Sequence, residues 1–258
     1  MKMTFLEVKH LKKVYRAKQS LKGTEALSDV NFSVEKGEFI SIMGESGSGK
    51  TTLLNILSTL DRPTEGEVYL DGQPISHIKD KEISRFRRDT LGFVFQDFNL
   101  LDTFNLKDNI FLPLVLSSTA VSEMESRLQP LAKRLGIENQ LENFPYEVSG
   151  GQKQRAAVAR ALITEPKILL ADEPTGALDS KASQNLLETF EEINQAGQTI
   201  VMVTHSVQAA SHSNRVLFIR DGVVYHEVYR GDSSPEAFHD KIAQSMLVVT
   251  NRGEHNAL

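Results

Sequence analysis

A glycine-rich segment, Gly44-Glu-Ser-Gly-Ser-Gly-Lys50-Thr51, limits the folds open to this 258-residue chain more than any other feature. It fits the pattern G-x-x-x-x-G-K-[ST] and lies between the β-rich run Phe39–Met43 and a helix-like run that starts near Lys50. Glycines expose successive backbone N–H groups to a polyphosphate, and the amino end of the following helix adds its positive dipole. The segment predicts a phosphate loop in which Lys50 reaches the β- and γ-phosphates and Thr51 binds Mg²⁺. An ordinary Gly/Ser turn is the alternative.

Two consecutive acids follow an apolar run of the type found in buried strands, Ile168-Leu-Leu-Ala-Asp172-Glu173. Because side chains alternate along a strand, we expect Asp172 and Glu173 to point opposite ways at the strand end and to have separate roles. Asp172 is expected to contact the coordination shell of the Mg²⁺ ion, and Glu173 is expected to polarise the water that attacks the γ-phosphate. The alternative is a surface turn before Pro174.

The pattern of apolar residues along the rest of the chain predicts how these segments are arranged. Short β-rich runs occupy residues 4–43, helix-like runs occupy residues 97–165, and strands alternate with helices from residue 168 to residue 219. This order predicts a parallel α/β core that carries a helical lobe. Asp221-Gly222 predicts a hairpin turn, which is followed by a helix over Ser233–Ala243 and a polar tail from Thr250.

Composition excludes several classes of function. The chain has no cysteine, so disulfide scaffolds, thiolate metal sites and cysteine nucleophiles are excluded. Its 29 basic and 34 acidic residues give a net charge of −5, which provides no global attraction for nucleic acid or anionic lipid. The longest apolar runs are far shorter than the roughly 20 residues of a membrane-spanning helix. Charged residues near the start argue against a signal peptide.

A further motif is Val148-Ser149-Gly150-Gly151-Gln152, which is followed by Lys-Gln-Arg155. It lies between the phosphate loop and the acid pair in the sequence. With these motifs the chain resembles the nucleotide-binding subunit of an ABC transporter over roughly residues 3–230. The resemblance implies a single nucleotide-binding domain over residues 1–258 with an α/β, P-loop NTPase (RecA-like) parallel-sheet core and an N-terminal antiparallel β subdomain. It also implies an inserted helical lobe at about 97–165 and a C-terminal hairpin, helix and tail at about 221–258.

The resemblance implies roles for individual residues, with ATP and Mg²⁺ as ligands. Catalysis would involve Glu173, His205 and Gln96, and the metal would contact Thr51, Gln96 and Asp172. Nucleotide binding is implied for Tyr15, Gly44, Ser46, Gly47, Ser48, Gly49, Lys50, Thr51, Thr52, Ser149, Gly151, Gln152 and Asp179. In this scheme His205 donates to the γ-phosphate, Tyr15 stacks on adenine, and Ser149 acts on the nucleotide of a second copy.

The residues implied by the resemblance also have structural interpretations. Gln96 could cap a strand end, Ser149 could be an ordinary helix N-cap, His205 could be a core histidine and Tyr15 could simply pack. Val148 stands where the family usually has leucine, which is a change of similar volume. No acid, lysine or histidine of the family's active site is missing, and this argues against an inactive subunit.

The resemblance further implies the partners and the location of the chain. It predicts a cytoplasmic ATPase, peripheral on the inner face of the membrane, which binds an integral-membrane permease and a second copy of itself and no nucleic acid. The segments Ile42–Gly47 and Asp172–Asp179 are similar to lipoprotein-releasing, macrolide-exporting and bacitracin-type resistance systems. The segments Phe95–Thr103 and Asp221–Lys241 are most similar to the bacitracin-type group. A soluble ABC ATPase of translation or DNA repair and a small-molecule kinase are the alternatives.

Four apolar residues closely follow Gln96, and they are Phe98, Leu100, Leu101 and Phe104. Their density is too high for an ordinary solvated loop. We expect some of them to pack inside and the rest to form a groove for a short cytoplasmic helix of the permease. The alternative is that all four anchor the helical lobe to the core.

Overall fold

The computed structural model describes residues 4–16 and 23–254, with side chains as far as Leu247. The strands are β1 (Thr4–Tyr15), β2 (Thr24–Glu35), β3 (Phe39–Met43), β4 (Glu65–Leu70), β5 (Gln73–Pro74), β6 (Leu91–Val94), β7 (Ile168–Asp172), β8 (Thr199–Val203), β9 (Arg215–Arg220) and β10 (Val223–Tyr229). The helices are α1 (Lys50–Leu57), α2 (Asp80–Thr90), α3 (Leu106–Val115), α4 (Val121–Leu135), α5 (Gly150–Leu162), α6 (Ser180–Gln195), α7 (Val207–Ala210) and α8 (Pro235–Glu254).

The strands form two sheets. A four-stranded antiparallel sheet has the order β2-β1-β4-β5, and a six-stranded sheet has the order β10-β9-β3-β8-β7-β6. In the larger sheet β9, β3, β8, β7 and β6 are parallel, and β10 pairs antiparallel with β9. The α/β prediction with a parallel core and an N-terminal antiparallel sheet is confirmed, while the antiparallel edge strand makes the larger sheet mixed.

The edge strand is formed by the hairpin expected from the sequence. Its turn residues Asp221 and Gly222 have φ values of 50° and 72°. Two consecutive positive φ values are what a two-residue type I′ turn requires, and the twist of such a turn matches that of the flanking strands. The turn therefore places β10 beside β9.

Two hydrophobic clusters cover opposite faces of the larger sheet. In β8 the side chains of Ile200 and Met202 enter one cluster and those of Val201 and Val203 enter the other, as the two-residue period of a strand requires. The second cluster joins the sheet to α1 and to the antiparallel sheet. The first cluster also contains Leu106 of α3 and Leu128 of α4. The helical lobe thus shares one continuous core with the sheet.

Helix α2 was not expected from the sequence. None of its residues is fully buried, so the apolar periodicity that marks a helix is nearly absent from this segment. Its charges instead follow the helix dipole, with Asp80 and Glu82 in the first turn and Arg87 and Arg88 in the last.

Helix α8 is longer than the predicted helix Ser233–Ala243. It continues to Glu254, so residues 250–254 of the expected polar tail are helical, and residues 255–258 lie outside the described part. No proline or glycine interrupts residues 236–252, and once a helix has started each added residue forms one more hydrogen bond. Within the described residues, no helix combines the length and the apolar character needed to cross a membrane.

Candidate functional site

The glycine-rich loop connects β3 to α1, as the sequence predicts. Gly47 and Gly49 have φ values of 81° and 103°, in the left-handed region that favours glycine. A Cβ atom on Gly49 would lie 2.5 Å from the carbonyl oxygen of Ala26. Position 49 therefore requires glycine both for its backbone conformation and for its close contact with β2.

Lys50 and Ser48 show that the loop is prepared for an anion. The Nζ atom of Lys50 donates to the carbonyl oxygens of Gly44 and Glu45, both at 2.8 Å. Burial lowers the pKa of Lys50, and the nearby carboxylates Asp172 and Glu173 oppose that shift. The Ser48 hydroxyl is buried and has no hydrogen-bond partner among the described residues. An unpaired buried hydroxyl and a desolvated ammonium in one loop fit the oxygens of a phosphate chain.

The acid pair lies at the carboxyl end of β7. Burial raises the pKa of Asp172, the neighbouring Glu173 raises it further, and Lys50 lowers it. Glu173 donates its backbone N–H to the carbonyl of Val203 and has a φ of 46°. This left-handed conformation ends the strand alternation. Asp172 and Glu173 nevertheless both line one cleft.

The Glu173 carboxylate is held from two sides. Its Oε2 accepts from the Thr204 hydroxyl at 3.0 Å, and its Oε1 accepts from Nδ1 of His205 at 2.7 Å. The His205 side chain is 75% exposed, which excludes the alternative of a core histidine. Because Nδ1 donates to Glu173, donation from Nε2 to a phosphate requires the doubly protonated ring.

One cleft of about 380 Å³ collects most of the predicted catalytic and phosphate-binding residues. It is lined by Ala26, Ser46, Gly47, Gly49, Lys50, Thr51, Thr52, Gln96, Asp172, Glu173, Val203 and His205. The Thr51 hydroxyl, the Gln96 amide and the Asp172 carboxylate are oxygen donors of the kind that Mg²⁺ accepts. Within the described residues, no cluster of three or more acids and histidines could hold a metal. The donors present fit a Mg²⁺ ion that shares its coordination with phosphate oxygens.

Tyr15 lies beside the cleft at the end of β1, and it is not among the residues that line the cleft. Tyr15 is 43% exposed. Its hydroxyl donates to Asp61 at 2.8 Å, and the ammonium of Lys13 lies 4.8 Å from the ring centre. Partial burial raises the pKa of Tyr15, and its hydroxyl also contacts Thr52, which does line the cleft.

The remaining predicted residues form a separate group, here called the signature surface and defined as Ser149, Gly151, Gln152 and Asp179. Ser149 caps α5 by accepting from the N–H of Gln152 at 3.3 Å, and Gln152 accepts from the N–H of Ser149 at 2.8 Å. Asp179 caps α6 by accepting from the N–H of Ala182 at 2.8 Å. None of the four lines the cleft around Lys50. A single chain therefore does not bring the two groups together.

Some residues of the site escaped the sequence reasoning. Thr204 was missed although it precedes His205 at a strand end, where a hydroxyl is within reach of neighbouring strand ends. Ala26 and Val203 form cleft walls and carry no chemical signal in the sequence. Gln154 was also missed, and its contacts join segments that are distant along the chain.

A phosphate-type loop after a parallel strand, facing an acid pair on the same sheet, defines the fold and site of a P-loop ATPase. The chain belongs to the ABC transporter family, whose model matches residues 27–176. It is an ATPase of that family.

Relatives of known name are similar over most of their length. The ABC transporter ATP-binding protein YxdL of Bacillus subtilis is 50% identical over 95% of this chain and 94% of that protein. The bacitracin export ATP-binding protein BceA of Halalkalibacterium halodurans is 46% identical over 96% of this chain and 97% of that protein. The lipoprotein-releasing system ATP-binding protein LolD of Aquifex aeolicus is 44% identical over 87% of this chain and 98% of that protein.

A solved structure supports the same assignment. The dimeric ABC transporter cassette MJ0796 of Methanocaldococcus jannaschii matches this chain with a TM-score of 0.79 and 40% sequence identity. The match covers 87% of this chain and 98% of the MJ0796 chain. A second dimeric structure of MJ0796 holds ADP and Pi in a post-hydrolysis state.

Proposed function

We propose that this ATPase drives a membrane permease in a bacterial system of bacitracin-type antimicrobial-peptide resistance or export. The observation that carries the proposal is the similarity to BceA, which extends over nearly the whole of both chains, whereas the similarity to LolD leaves a longer part of this chain unmatched. The chain would work in the cytoplasm, at the inner face of the membrane. Lipoprotein release or macrolide export is the second candidate, because LolD and MacB are also relatives.

The roles of the cleft residues follow from their positions. Lys50 and the N–H groups of the loop would bind the β- and γ-phosphates. Thr51, Gln96 and Asp172 would hold Mg²⁺, which would supply positive charge to neutralise the phosphates. Glu173 would orient the attacking water and accept its proton, with its carboxylate fixed by Thr204 and His205.

The signature surface would act on the nucleotide of a second copy. Three features support this part of the proposal: the surface lies outside the cleft of its own chain, it presents the amino end of α5, and the related MJ0796 cassette is a dimer. Ser149, Gly151 and Gln152 would then complete the site formed by the partner's copies of the cleft residues, and Asp179 would lie at the junction of the two chains. Tyr15 would stack on adenine with the ring face that Lys13 leaves free.

The permease would dock in a groove of about 550 Å³ between the sheet and the helical lobe. Its apolar walls are Phe93, Phe95, Leu112, Pro113 and Leu116, and Arg87, Arg88 and Arg160 add positive charge. Apolar walls with a charged rim fit an amphipathic helix.

The groove differs from the expected one. Leu101 and Phe104 are exposed and Leu100 packs against the core, but none of the four apolar residues that follow Gln96 lines the groove. The groove is instead lined by residues of α2, β6, the end of α3 and α5.

Deletion of the gene in the source organism tests the proposed function. We expect increased sensitivity to bacitracin, restored by the wild-type gene and by Glu165→Gln, and not restored by Glu173→Gln. Glu165 is an exposed acid with a left-handed backbone like that of Glu173, so it controls for the change of charge. Unchanged sensitivity would contradict the peptide-resistance proposal, and retention of lipoproteins in the inner membrane would favour the second candidate.

Copurification with the permease tests the docking groove. Leu116→Glu places a charge on an apolar wall without disturbing the core, because Leu116 is 71% exposed. We expect it to abolish copurification, whereas Val121→Glu, which alters a similarly exposed residue outside the groove, should leave copurification unchanged. Phe104→Glu tests the originally predicted surface in the same assay. Loss with Phe104→Glu alone would move the docking site to that surface.

A further inference from the structure

Gln154 makes contacts that no role described so far explains. It lies on α5 and is fully buried. Its Nε2 group donates to the carbonyl oxygen of Phe95 at 3.2 Å and to that of Pro174 at 2.6 Å. One side-chain amide thus joins two backbone segments that follow different strands.

The two segments are those that carry Gln96 and Glu173. Phe95 immediately precedes Gln96, and Pro174 immediately follows Glu173. Strands β6 and β7 pair as far as Val94 and Ala171, so the Gln154 amide links the two segments just beyond the last paired residues of these strands. It continues the connection at the point where both strands open into the cleft.

A second contact shows how closely the segments fit. Gly176, in the turn after Pro174, lies so near the Gln96 side chain that a Cβ atom there would be 2.9 Å from Cδ of Gln96. A small displacement of one segment would therefore move the Gln96 amide relative to the Glu173 carboxylate.

The burial of Gln154 is costly. Its Oε1 atom has no hydrogen-bond partner among the described residues, although the side chain is fully buried. Burial of an unpaired amide oxygen disfavours folding, and an apolar side chain of similar volume would avoid that cost. Unlike an apolar side chain, the glutamine supplies an amide group that donates to the carbonyl oxygens of Phe95 and Pro174.

The same helix also holds the segment that follows Gln96. The guanidinium of Arg160 donates to the carbonyl oxygens of Phe98 and Asn99 at 2.8 and 2.5 Å. Both of these residues have left-handed backbones, with φ values of 61° and 51°. Helix α5 therefore fixes the chain on either side of Gln96.

We propose that Gln154 is a positioning residue for ATP hydrolysis. By tying Phe95 to Pro174 it sets the distance between the Gln96 amide and the Glu173 carboxylate, which would act together on the water and the γ-phosphate. The proposal rests on the roles proposed above for Gln96 and Glu173. It concerns the chemical step, because Gln154 does not line the cleft and its hydrogen bonds go to the segments of Gln96 and Glu173.

Steady-state kinetics of Gln154→Leu test the proposal. Loss of the bridge should lower kcat for ATP hydrolysis about 10- to 100-fold, since misplacement of reacting groups by about 1 Å costs rate of this order. The KM for ATP should change less than about two-fold, because the phosphate loop is untouched.

The control is Gln198→Leu. The Nε2 of Gln198 also donates to two carbonyl oxygens, those of Pro166 and Thr199, at the amino ends of β7 and β8. We expect Gln198→Leu to change thermal stability and to leave kcat near the wild-type value. Equal losses of kcat in both variants would show a purely structural role for Gln154 and would overturn the proposal.

A double variant separates positioning from general damage. If Gln154 acts through Glu173, adding Gln154→Leu to Glu173→Gln should lower the residual hydrolysis by less than about two-fold. An additive loss would reject the mechanism.

If Gln154→Leu does not melt cooperatively, Gln154→Met takes its place, and failure of both to fold would also reject the proposal. Near-normal turnover of Glu173→Gln alone would instead refute the roles on which the proposal rests.

Discussion

The cleft around Lys50 and the signature surface around Ser149 differ in how their polar groups are satisfied. In the cleft, the Ser48 hydroxyl has no partner among the described residues. Burial lowers the pKa of Lys50 and raises the pKa of Asp172, and both shifts favour the neutral form of the side chain. On the signature surface, Ser149 and Gln152 satisfy each other in a complete helix cap. The cleft is thus incomplete without a ligand, whereas the signature surface is locally complete and would gain its function only against a second chain.

The largest effect that would sharpen this comparison is expected from Glu173→Gln. The substitution keeps the size and polarity of the side chain but removes the base, so hydrolysis should fall at least about 100-fold. ATP binding should persist, and the ATP-bound dimer should accumulate. Phosphate release and gel filtration with ATP measure both results, with Glu165→Gln as the matched control. Turnover within a few-fold of wild type would show that Glu173 is not the base.

Lys50→Ala should affect binding itself. It removes an ammonium that meets the phosphates directly, and a charge-assisted hydrogen bond of about 1.5–3 kcal/mol corresponds to roughly a 10- to 100-fold loss of ATP affinity. Isothermal calorimetry of the isolated chain measures the change. Lys81→Ala, at an exposed position on α2, controls for loss of one positive charge. Unchanged affinity would contradict the role of the phosphate loop.

Ser149→Ala should separate the two regions. We expect ATP binding by the single chain to stay normal and hydrolysis to fall about ten-fold, because the hydroxyl would serve the nucleotide of the other copy. Loss of the cap should also cost about 1 kcal/mol of stability. Asn105→Ala removes a comparable cap from α3 and should lower stability without lowering turnover. Equal turnover in the two variants would assign Ser149 a capping role alone.

The smallest expected effect concerns pH and stability. Because the pKa of Asp172 is raised on folding, its ionisation disfavours the folded state above the ordinary aspartate pKa of about 3.9. Without nucleotide, Asp172→Asn should therefore raise Tm by about 1–3 °C at pH 7.5. The gain should shrink as the pH falls through the raised pKa.

Melting curves across this pH range measure the effect. Asp179→Asn is the control on the signature surface, since asparagine caps helices as well as aspartate and should leave Tm nearly unchanged. A gain that is independent of pH would mean that the charge of Asp172 is not its cause.

Local features of the sequence predicted the parts of the site that are formed by neighbouring residues. The phosphate loop needs glycines within eight positions, and the acid pair follows its own apolar strand, so both could be located from spacing alone. The continuous apolar run before the acid pair likewise predicted β7 almost to the residue. The assignment of these segments to one fold drew on the family resemblance.

The features that the sequence did not predict depend on contacts between distant residues or on an irregular backbone conformation. Gln154 reaches Phe95 across 59 positions, and no spacing rule signals such a bridge. The left-handed backbone of Glu173 ends the two-residue period of its strand, and the sequence gives no sign of it. Helix α2 has no fully buried residue, and the docking groove is lined by residues of four elements, so neither has a continuous pattern in the sequence.

The hydrophobic cluster shared by the helical lobe and the sheet has a consequence for how such chains can diverge. Leu106 and Leu128 of the lobe belong to the same interior as Ile200 and Met202 of the sheet. A change in volume on one side must be matched on the other, because protein interiors are close-packed. The lobe is therefore not an interchangeable module: a lobe transplanted from a relative would need the facing residues of the recipient sheet to be replaced with it.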